Sequence, residues 1–547
     1  MADGSRSLPL QFDQELVVDL FAGGGGASLG IARAYRHPDV AVNHSPIAIA
    51  VHRANHPEPA TDHKTCDVFE VDPITATGGR PVAMLWASPD CRHHSKAKGG
   101  APRSKKVRAL AWVVIKWAKA VRPRVIRLEN VEEFADWGPL NDDGRPCLAR
   151  KGDTFRQWKR ELEKLGYVVE HRELRACDYG APTIRKRLYL VARCDGRPIV
   201  WPQATHAAPD SEAVRSGRLL PWRTAAECID WTLPSRSIFD RPKPLADNTQ
   251  RRIAKGLWRY VFNSADPFIV GNITPFLTEH ANASNQRVFA ADEPLRTQCA
   301  QVKGGHFAMV APTLIQTGYG EREGQAPRSL DLGKPLGTVV AGGVKHAVAT
   351  AFLEQANGGF YDGDGRDVRA PVSTICTSGA NQRLVTAYLV KYYGVDQDPR
   401  LRDPMHTVTT KDRFGLVQVT HVPADTLAPE LRAKAKAVAD FLHRHLPEHF
   451  PEPADLVLLG GYVLADITLR MLAPRELATA QGFDADYVID RGWFIDPATG
   501  EGAWKPVTKT DQVRLIGNSV CPDVAEALVR CDLADLITLY REEGIAA

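Results

Sequence analysis

The stretch ELVVDLFAGGGGASLGIARA, residues 15–34, decides the fold. A strand ending in Asp19 runs through Phe21 into Gly23, Gly24, Gly25 and Gly26, and a helical pattern follows from Ala27 to Ala34. A short apolar run closed by glycines is the pattern of a strand buried on both faces of a parallel sheet. Glycines at that junction let the backbone approach a ligand at a helix N-terminus. They do not give the strict Gly-x-Gly-x-x-Gly spacing, and Asn43 stands where a dinucleotide fold places an acid on the ribose. Taken alone, the loop reads more readily as a tight structural turn than as a dinucleotide site.

Outward from this stretch the same texture repeats. VAMLWA (82–87), VIRLEN (125–130) and RLYLVA (187–192) are apolar runs separated by the amphipathic segments RALAWVVIKWAKAV and TFRQWKRELEKLG. Strands alternating with helices predict an α/β fold built on a parallel, doubly wound sheet. After about Trp201 short strands, turns and aromatics take over, and an internal repeat emerges. EPLRTQCAQVKGGHFAMV, KPLGTVVAGGVKHAVAT, APVSTICTSGANQRLVTAYLV and DPMHTVTTKDRFGLVQV share a Pro-apolar-x-Thr start, a polar loop and a closing apolar strand. Their threonines, Thr297, Thr338, Thr374 and Thr407, are spaced 41, 36 and 33 apart, which is too irregular for a propeller or solenoid. Leu427, Leu431, Val438, Leu442 and Leu446 then mark one face of a helix, and the α/β texture returns. The expected organisation is a tail at 1–15, an α/β domain at 16–205, a β-rich insert at 206–424, and a completing segment at 425–547.

Composition sets bounds. With 547 residues, 44% hydrophobic and 24% charged, the chain is of globular type, which excludes collagenous, coiled-coil and largely disordered classes. A net charge of +4 does not identify a nucleic-acid binder, so any such reading must come from how charge is distributed. The ten cysteines form no Cys-x-x-Cys pair and the N-terminus lacks an apolar export stretch, so reduced thiols in a cytoplasmic compartment are expected. No apolar run is long enough to span a membrane.

Three further segments carry candidate chemistry. In ASPDCRHHSKAKGG, Cys91 follows directly after a strand, where ligands sit in open α/β sheets. A cysteine is more often a small buried hydrophobe than a nucleophile. Here Arg92, Lys96, Lys98, Arg103, Lys105, Lys106 and Arg108 follow with no acid among them, a field that favours thiolate and attracts phosphate. Zinc binding by Cys66, Cys91, His63, His93 or His94 matches no common spacing, so no metal is expected. Glu129, in RLENV, ends another strand, where a partly dry carboxylate can hold a proton for a ring nitrogen. Arg185 and Arg187, in DYGAPTIRKRLYLVA, are two apart, which on a strand points both guanidiniums to one face. Singly, each of these is as consistent with an ordinary ion pair.

Read in order, these segments resemble the DNA (cytosine-5) methyltransferase family. DLFAGGGG resembles its cofactor loop, SPDCRHHS its nucleophile loop, ENV its glutamate motif and YGAPTIRKR its double-arginine motif. WPQATH (201–206) resembles the close of its first half, and LRMLAPRELATAQGF (469–483) and RLIGNSVCP (514–522) its last two motifs. The resemblance implies a Rossmann-like S-adenosylmethionine-dependent methyltransferase domain interrupted by a β-rich target-recognition insert. It implies S-adenosylmethionine as methyl donor, with Phe21 on the adenine, Gly23, Gly24 and Gly25 beside the methionine part, Asn43 near the ribose and Asp67 at the adenine amino group. Asn518 and Ser519 would close that pocket. It also implies attack by Cys91 on C6 of a flipped cytosine in double-stranded DNA, Glu129 at N3, and Arg185 with Arg187 at O2 and phosphate. Arg92, Ser95, Lys96 and Lys98, with Arg287, Arg383, Lys411 and Arg413 of the insert, are the expected DNA contacts. The protein is expected to act as a monomer, with any restriction endonuclease partner on another chain. Methylation of a structured RNA, and a non-catalytic DNA-binding relative, are the alternative readings.

This chain departs from the family pattern at a few positions. Asp90 stands where the family has Pro before its cysteine, Arg92 and His94 stand for Gln and Phe, and Thr183 stands for Gln. A carboxylate beside a thiol disfavours thiolate. Neutralisation of Asp90 by Arg92, Arg185 or Arg187 would keep Cys91 reactive. Asp90→Pro is then expected to leave the methylation rate within a few-fold of wild type; a marked gain at unchanged DNA affinity would show that no such compensation exists.

Overall fold

Strand β1 (Leu16–Leu20) lies between β2 (Val40–Asn43) and β4 (Val82–Ala87), parallel to both, in the computed structural model of the chain. Residues 15–89, 109–141, 146–263, 404–405, 414–424, 427–459 and 462–542 are described, along with several strands between 276 and 391. With β3 (Asp62–Thr65), β5 (Val125–Asn130), β6 (Val168–Arg175) and β7 (Lys186–Arg193), the sheet runs β3-β2-β1-β4-β5-β7-β6. Helices α1 (Gly26–Ala34), α2 (Pro46–Asn55), α3 (Pro73–Thr77), α4 (Trp112–Val121) and α5 (Asp153–Lys164) connect the strands. This is a Rossmann-like α/β fold. The expected all-parallel sheet needs one correction, because β7 runs antiparallel to both β5 and β6. The link between β6 and β7, residues 176–185, is shorter than a parallel crossover requires, so the chain must turn back.

Alternation along the strands divides two cores. Leu16, Val18 and Leu20 join Leu85, Ile126 and Leu128 beneath Val114 and Trp117 of α4 and Trp158 of α5. Val17, Met84, Trp86 and Val125 join Ile31 of α1 and Val524, Leu528 and Val529 of a C-terminal helix on the opposite face. The C-terminal segment forms α6 (Pro474–Gln481), α7 (Lys509–Asn518), α8 (Pro522–Asp532) and α9 (Ala534–Glu542), of which α8 and α9 complete that second layer. Asp19 lies between Val18 and Leu20 on β1, and Arg127 and Glu129 follow Val125 at two-residue intervals on β5. All three therefore share the face covered by α1 and α8.

The chain forms two compact units. One comprises residues 1–229, 399–413 and 472–547, the other 230–398 and 414–471. In the second, strands Tyr462–Met471, Phe414–Pro423 and Leu384–Lys391 pair antiparallel. Its core joins Val417, Val419, Leu464 and Ile467 to Ile253 and Leu257 of helix Asp247–Leu257 and to Val438 and Leu442 of helix Pro429–His445. The periodicity from Leu427 does form a helix, but its apolar face packs in this second unit, against strand Tyr462–Met471, and not in the unit that holds the glycine loop. The closing apolar segment of every repeat is a strand: His306–Val310, His346–Val348, Leu384–Lys391 and Phe414–Pro423. The four repeated threonines lie outside the described residues. A short stretch before the last strand returns to the first unit, where Met405 bonds Pro182 O at 2.7 Å and accepts from Ile184 N at 2.8 Å.

Arg127 is fully buried and grips Asp532 of α8 through two bonds, Nε to Oδ2 at 2.5 Å and Nη2 to Oδ1 at 2.7 Å. Removing one partner leaves a buried charge uncompensated. Asp532→Ala is expected to lower unfolding free energy by about 3–5 kcal/mol, and Arg127→Met with Asp532→Leu to recover most of that loss, measured by urea denaturation.

Candidate active site

The loop after β1 is held in a conformation that ordinary residues avoid. Phe21 has φ 66°, Gly23 φ 57° and Gly25 φ 93°. A left-handed aromatic residue costs about 1–3 kcal/mol and marks a site whose surroundings enforce it. Ala22 N bonds Val42 O at 3.0 Å and Gly25 N bonds Ala22 O at 3.0 Å, fixing the turn against β2. The C-terminal segment closes it from the other side. A Cβ on Gly25 would lie 2.1 Å from the Tyr487 hydroxyl, and one on Gly26 1.9 Å from Ser519 Oγ. Tyr487 donates to Gly24 O at 2.8 Å, and Leu515 lies against Gly24. The glycines are thus required by close approach as well as by φ.

Asn43 ends β2 and Asp67 follows β3, so the predicted cofactor residues sit at the carboxyl ends of three adjacent strands. Asn43 Oδ1 accepts from Ser45 N at 2.9 Å, and Asp67 Oδ1 from Phe69 N at 3.1 Å. Asn518 ends α7 and Ser519 is its C-cap, two residues that bring the last motif to the glycine loop. A glycine cradle, a partly buried aromatic at its lip and carboxamide and carboxylate groups at neighbouring strand ends fit a nucleoside-bearing cationic ligand.

Glu129, at the carboxyl end of β5, is buried. Its Oε1 lies 3.3 Å from Arg187 Nε and 3.9 Å from Arg185 Nη2, so the two arginines do converge on one carboxylate. Burial pushes the Glu129 pKa up, and the guanidiniums of Arg185 and Arg187 oppose the rise without cancelling it. Arg185 is itself held by Gly517 O at 3.2 Å, one residue before Asn518, and Arg187 by Lys186 O at 2.8 Å. Asn130 Nδ2 donates to Pro89 O at 3.0 Å, and Ser88 N to Leu20 O at 3.3 Å. The chain leading toward Cys91 is therefore anchored, at Ser88 and Pro89, between β1 and β5.

Cys91, with Asp90, Arg92, Ser95, Lys96 and Lys98, lies outside the described residues, as do Arg287, Arg383, Lys411 and Arg413. Among the described residues no His, Cys, Asp or Glu group is placed to hold a metal, and no helix is long and apolar enough to cross a membrane. Sequence reasoning assigned no role to Asp19, Tyr487, Gly517 or Met405. Asp19 stood in the quoted loop, but its burial was not legible there. The others approach from segments hundreds of residues away or, for Met405, from within the repeats, with no local signal.

The C-5 cytosine-specific DNA methylase family model matches residues 16–220. The chain is 29% identical over 196 residues to the Type II methyltransferase M1.HphI of Haemophilus parahaemolyticus, covering 35% of this chain and 48% of that protein. It is 28% identical over 193 residues to the Type II methyltransferase M.AgeI of Thalassovita gelatinovora, covering 35% and 42%. With M.AquIA of Picosynechococcus sp. the identity is 24% over 231 residues, 40% of this chain and 90% of the relative. The chain spans less than half the length of the first two relatives.

Because Gly25 has positive φ and a Cβ there would run into the Tyr487 hydroxyl, Gly25→Ala is expected to destabilise by at least about 2 kcal/mol. Gly196→Ala, also at positive φ (74°) but with nothing within 4 Å, should cost only about 1 kcal/mol. Thermal denaturation of the two variants checks the difference.

Proposed function

We propose that the protein is a DNA cytosine-5 methyltransferase that transfers a methyl group from S-adenosylmethionine to C5 of a flipped-out cytosine in duplex DNA. The carrying observation is Glu129, buried and flanked by Arg185 and Arg187, on the same sheet edge as the glycine loop within the family segment. C5 of cytosine is a poor nucleophile. Attack by the Cys91 thiolate on C6 makes the ring an enamine and divides one hard step into two easier ones.

The elevated pKa of Glu129 suits it to hold a proton at N3, drawing electrons into the ring as the sulfur adds. Arg187, with Arg185, would hold O2, since both guanidiniums already point to that carboxylate. When bound in the glycine cradle, S-adenosylmethionine supplies an electrophilic methyl group to C5. Loss of the C5 proton to water and expulsion of Cys91 then give 5-methylcytosine. Phe21, Gly23, Gly24, Gly25, Asn43, Asp67, Asn518 and Ser519 would hold the donor.

The target atom lies inside the stacked duplex, so the base must leave the stack at a cost of a few kcal/mol. The acid-free run of basic residues from Arg92 to Arg108 supports phosphate contacts that offset this cost, and Arg287, Arg383, Lys411 and Arg413 of the insert support reading of the target. We place the enzyme in the cytoplasm, acting as a monomer on DNA, with any restriction endonuclease a separate chain.

Bisulfite sequencing of DNA from a host expressing the protein is expected to show 5-methylcytosine at one recurrent motif, and none with Cys91→Ala. Glu129→Gln should lower kcat by about 10²–10⁴-fold, while DNA containing 5-fluorocytosine should become covalently attached to the wild type alone. Methylation that survives Cys91→Ala would refute the proposed chemistry.

A further inference from the structure

Beneath the glycine loop, a line of polar side chains joins the buried carboxylate of Asp19 to solvent. Ser28 Oγ lies 2.6 Å from Asp19 Oδ2, and His52 Nε2 lies 2.8 Å from Ser28 Oγ. His52 Nδ1 is 2.9 Å from His63 Nε2, and His63 Nδ1 is 3.6 Å from Glu58 Oε1. Asp19, Ser28 and His52 are fully buried, the His63 side chain is sealed, and Glu58 is 51% exposed. Asp19 Oδ1 has no hydrogen-bond partner among the described residues.

Other groups surround the line. His56 stacks at 4.5 Å from His52, and its other neighbours are His37 Nδ1 at 2.8 Å and the Tyr487 hydroxyl at 3.4 Å. Arg53 pairs with Glu58 at 3.3 Å, and Asp62 acts on His63. The strand neighbours of Asp19 are Ala41 and Trp86, which do not ionise.

Donor counting gives this line two complete polarities. With Asp19 ionised, Ser28 donates to it and accepts His52 Nε2–H, His52 Nδ1 accepts from His63 Nε2–H, and His63 Nδ1 is bare toward Glu58. With Asp19 protonated, every bond reverses and His63 Nδ1–H faces Glu58 Oε1, which at 3.6 Å lies just beyond hydrogen-bond length. The change takes one proton from water by way of the half-exposed Glu58 carboxylate, which passes it to His63 Nδ1 once the 3.6 Å gap between them closes. His63 Nε2, His52 Nε2 and the Ser28 hydroxyl each lose a proton as His52 Nδ1, Ser28 Oγ and Asp19 Oδ2 each gain one. No ring flips and no charge is left on the relay.

We propose that Asp19 exchanges a proton with solvent through Ser28, His52, His63 and Glu58, so that its charge answers the charge of the ligand on the glycine loop. It would be anionic beneath the sulfonium donor and protonated beneath the thioether product, which carries one positive charge less. This rests on the proposed cofactor and adds a role for residues outside the methyl-transfer chemistry. Burial pushes Asp19 up to about 7, so both states are within reach near neutral pH. Burial holds His52 well below its usual range, His56 at about 3 and His63 at about 4, which keeps the histidines neutral as carriers. Below the Asp19 pKa the donor must expel the proton to gain the ion pair. Preference for donor over product should therefore rise with pH and level off once Asp19 is already ionised.

Calorimetric titration of the full-length chain with S-adenosylmethionine and with S-adenosylhomocysteine, in buffers of differing ionisation enthalpy between about pH 6 and pH 8.5, tests this. Proton release is expected on binding the donor and not the product, with the affinity ratio rising roughly tenfold across that range. Asp19→Asn should bind the donor without proton release and flatten the ratio. Glu58→Gln, at the half-exposed end, leaves the buried line intact and guards against misfolding of the first variant. With it and with His63→Phe, release followed by a pH indicator in stopped flow should lag binding. Donor binding without proton release, or equal release from Asp19→Asn, overturns the inference alone. Release that keeps pace with binding in both relay variants overturns the relay. Failure to bind either ligand overturns the cofactor assignment as well.

Discussion

Gly26 and Ser519 come so near one another that no side chain fits between them, although 493 positions separate them in the chain. The candidate site depends on this contact. It lays the C-terminal segment on the glycine loop, brings Asn518 and Ser519 to its edge, and lets Tyr487 hold Gly24 by its carbonyl. The residue before Asn518, Gly517, holds Arg185. The glycine cradle and the arginine pair facing Glu129 are consequently parts of one packed assembly, and disturbing either is felt at the other.

A second constraint is electrostatic. The face of the sheet covered by α1 and α8 carries Asp19, Arg127 and Glu129, three groups that water would otherwise solvate. Each meets the cost of burial differently. Arg127 has the bidentate Asp532, Glu129 has two guanidiniums at longer range, and Asp19 has a single serine hydroxyl and one oxygen with no partner among the described residues. The first is a structural tie. The other two, less fully compensated, keep raised pKa values of the kind found where protons are held or moved.

Much of the fold was legible locally. The runs at Leu16, Val82, Val125 and Arg187 all became strands, because continuous burial between neighbours demands unbroken apolar sequence. Three strands escaped that reading. DHKT and VVEHRELR lie at the two edges of the sheet and carry polar residues, and VAVN is only four residues long. The reversed direction of β7 was not written in its own composition; the short link from β6 imposes it.

The amino-acid sequence by itself determined the chemistry available: a glycine turn after a buried strand, a cysteine followed by an acid-free basic run, a glutamate and two arginines at strand ends, and motifs in family order. These are matters of residue type and short spacing, which a chain displays before it folds. Only the tertiary structure decided that Tyr487 and Ser519 close the glycine turn, that Met405 returns from the repeats to pair beside Thr183, and that Asp19 ends a histidine line leading to the surface. Those relations join distant segments through packing and burial, and both arise only when the whole sheet and its two layers come together.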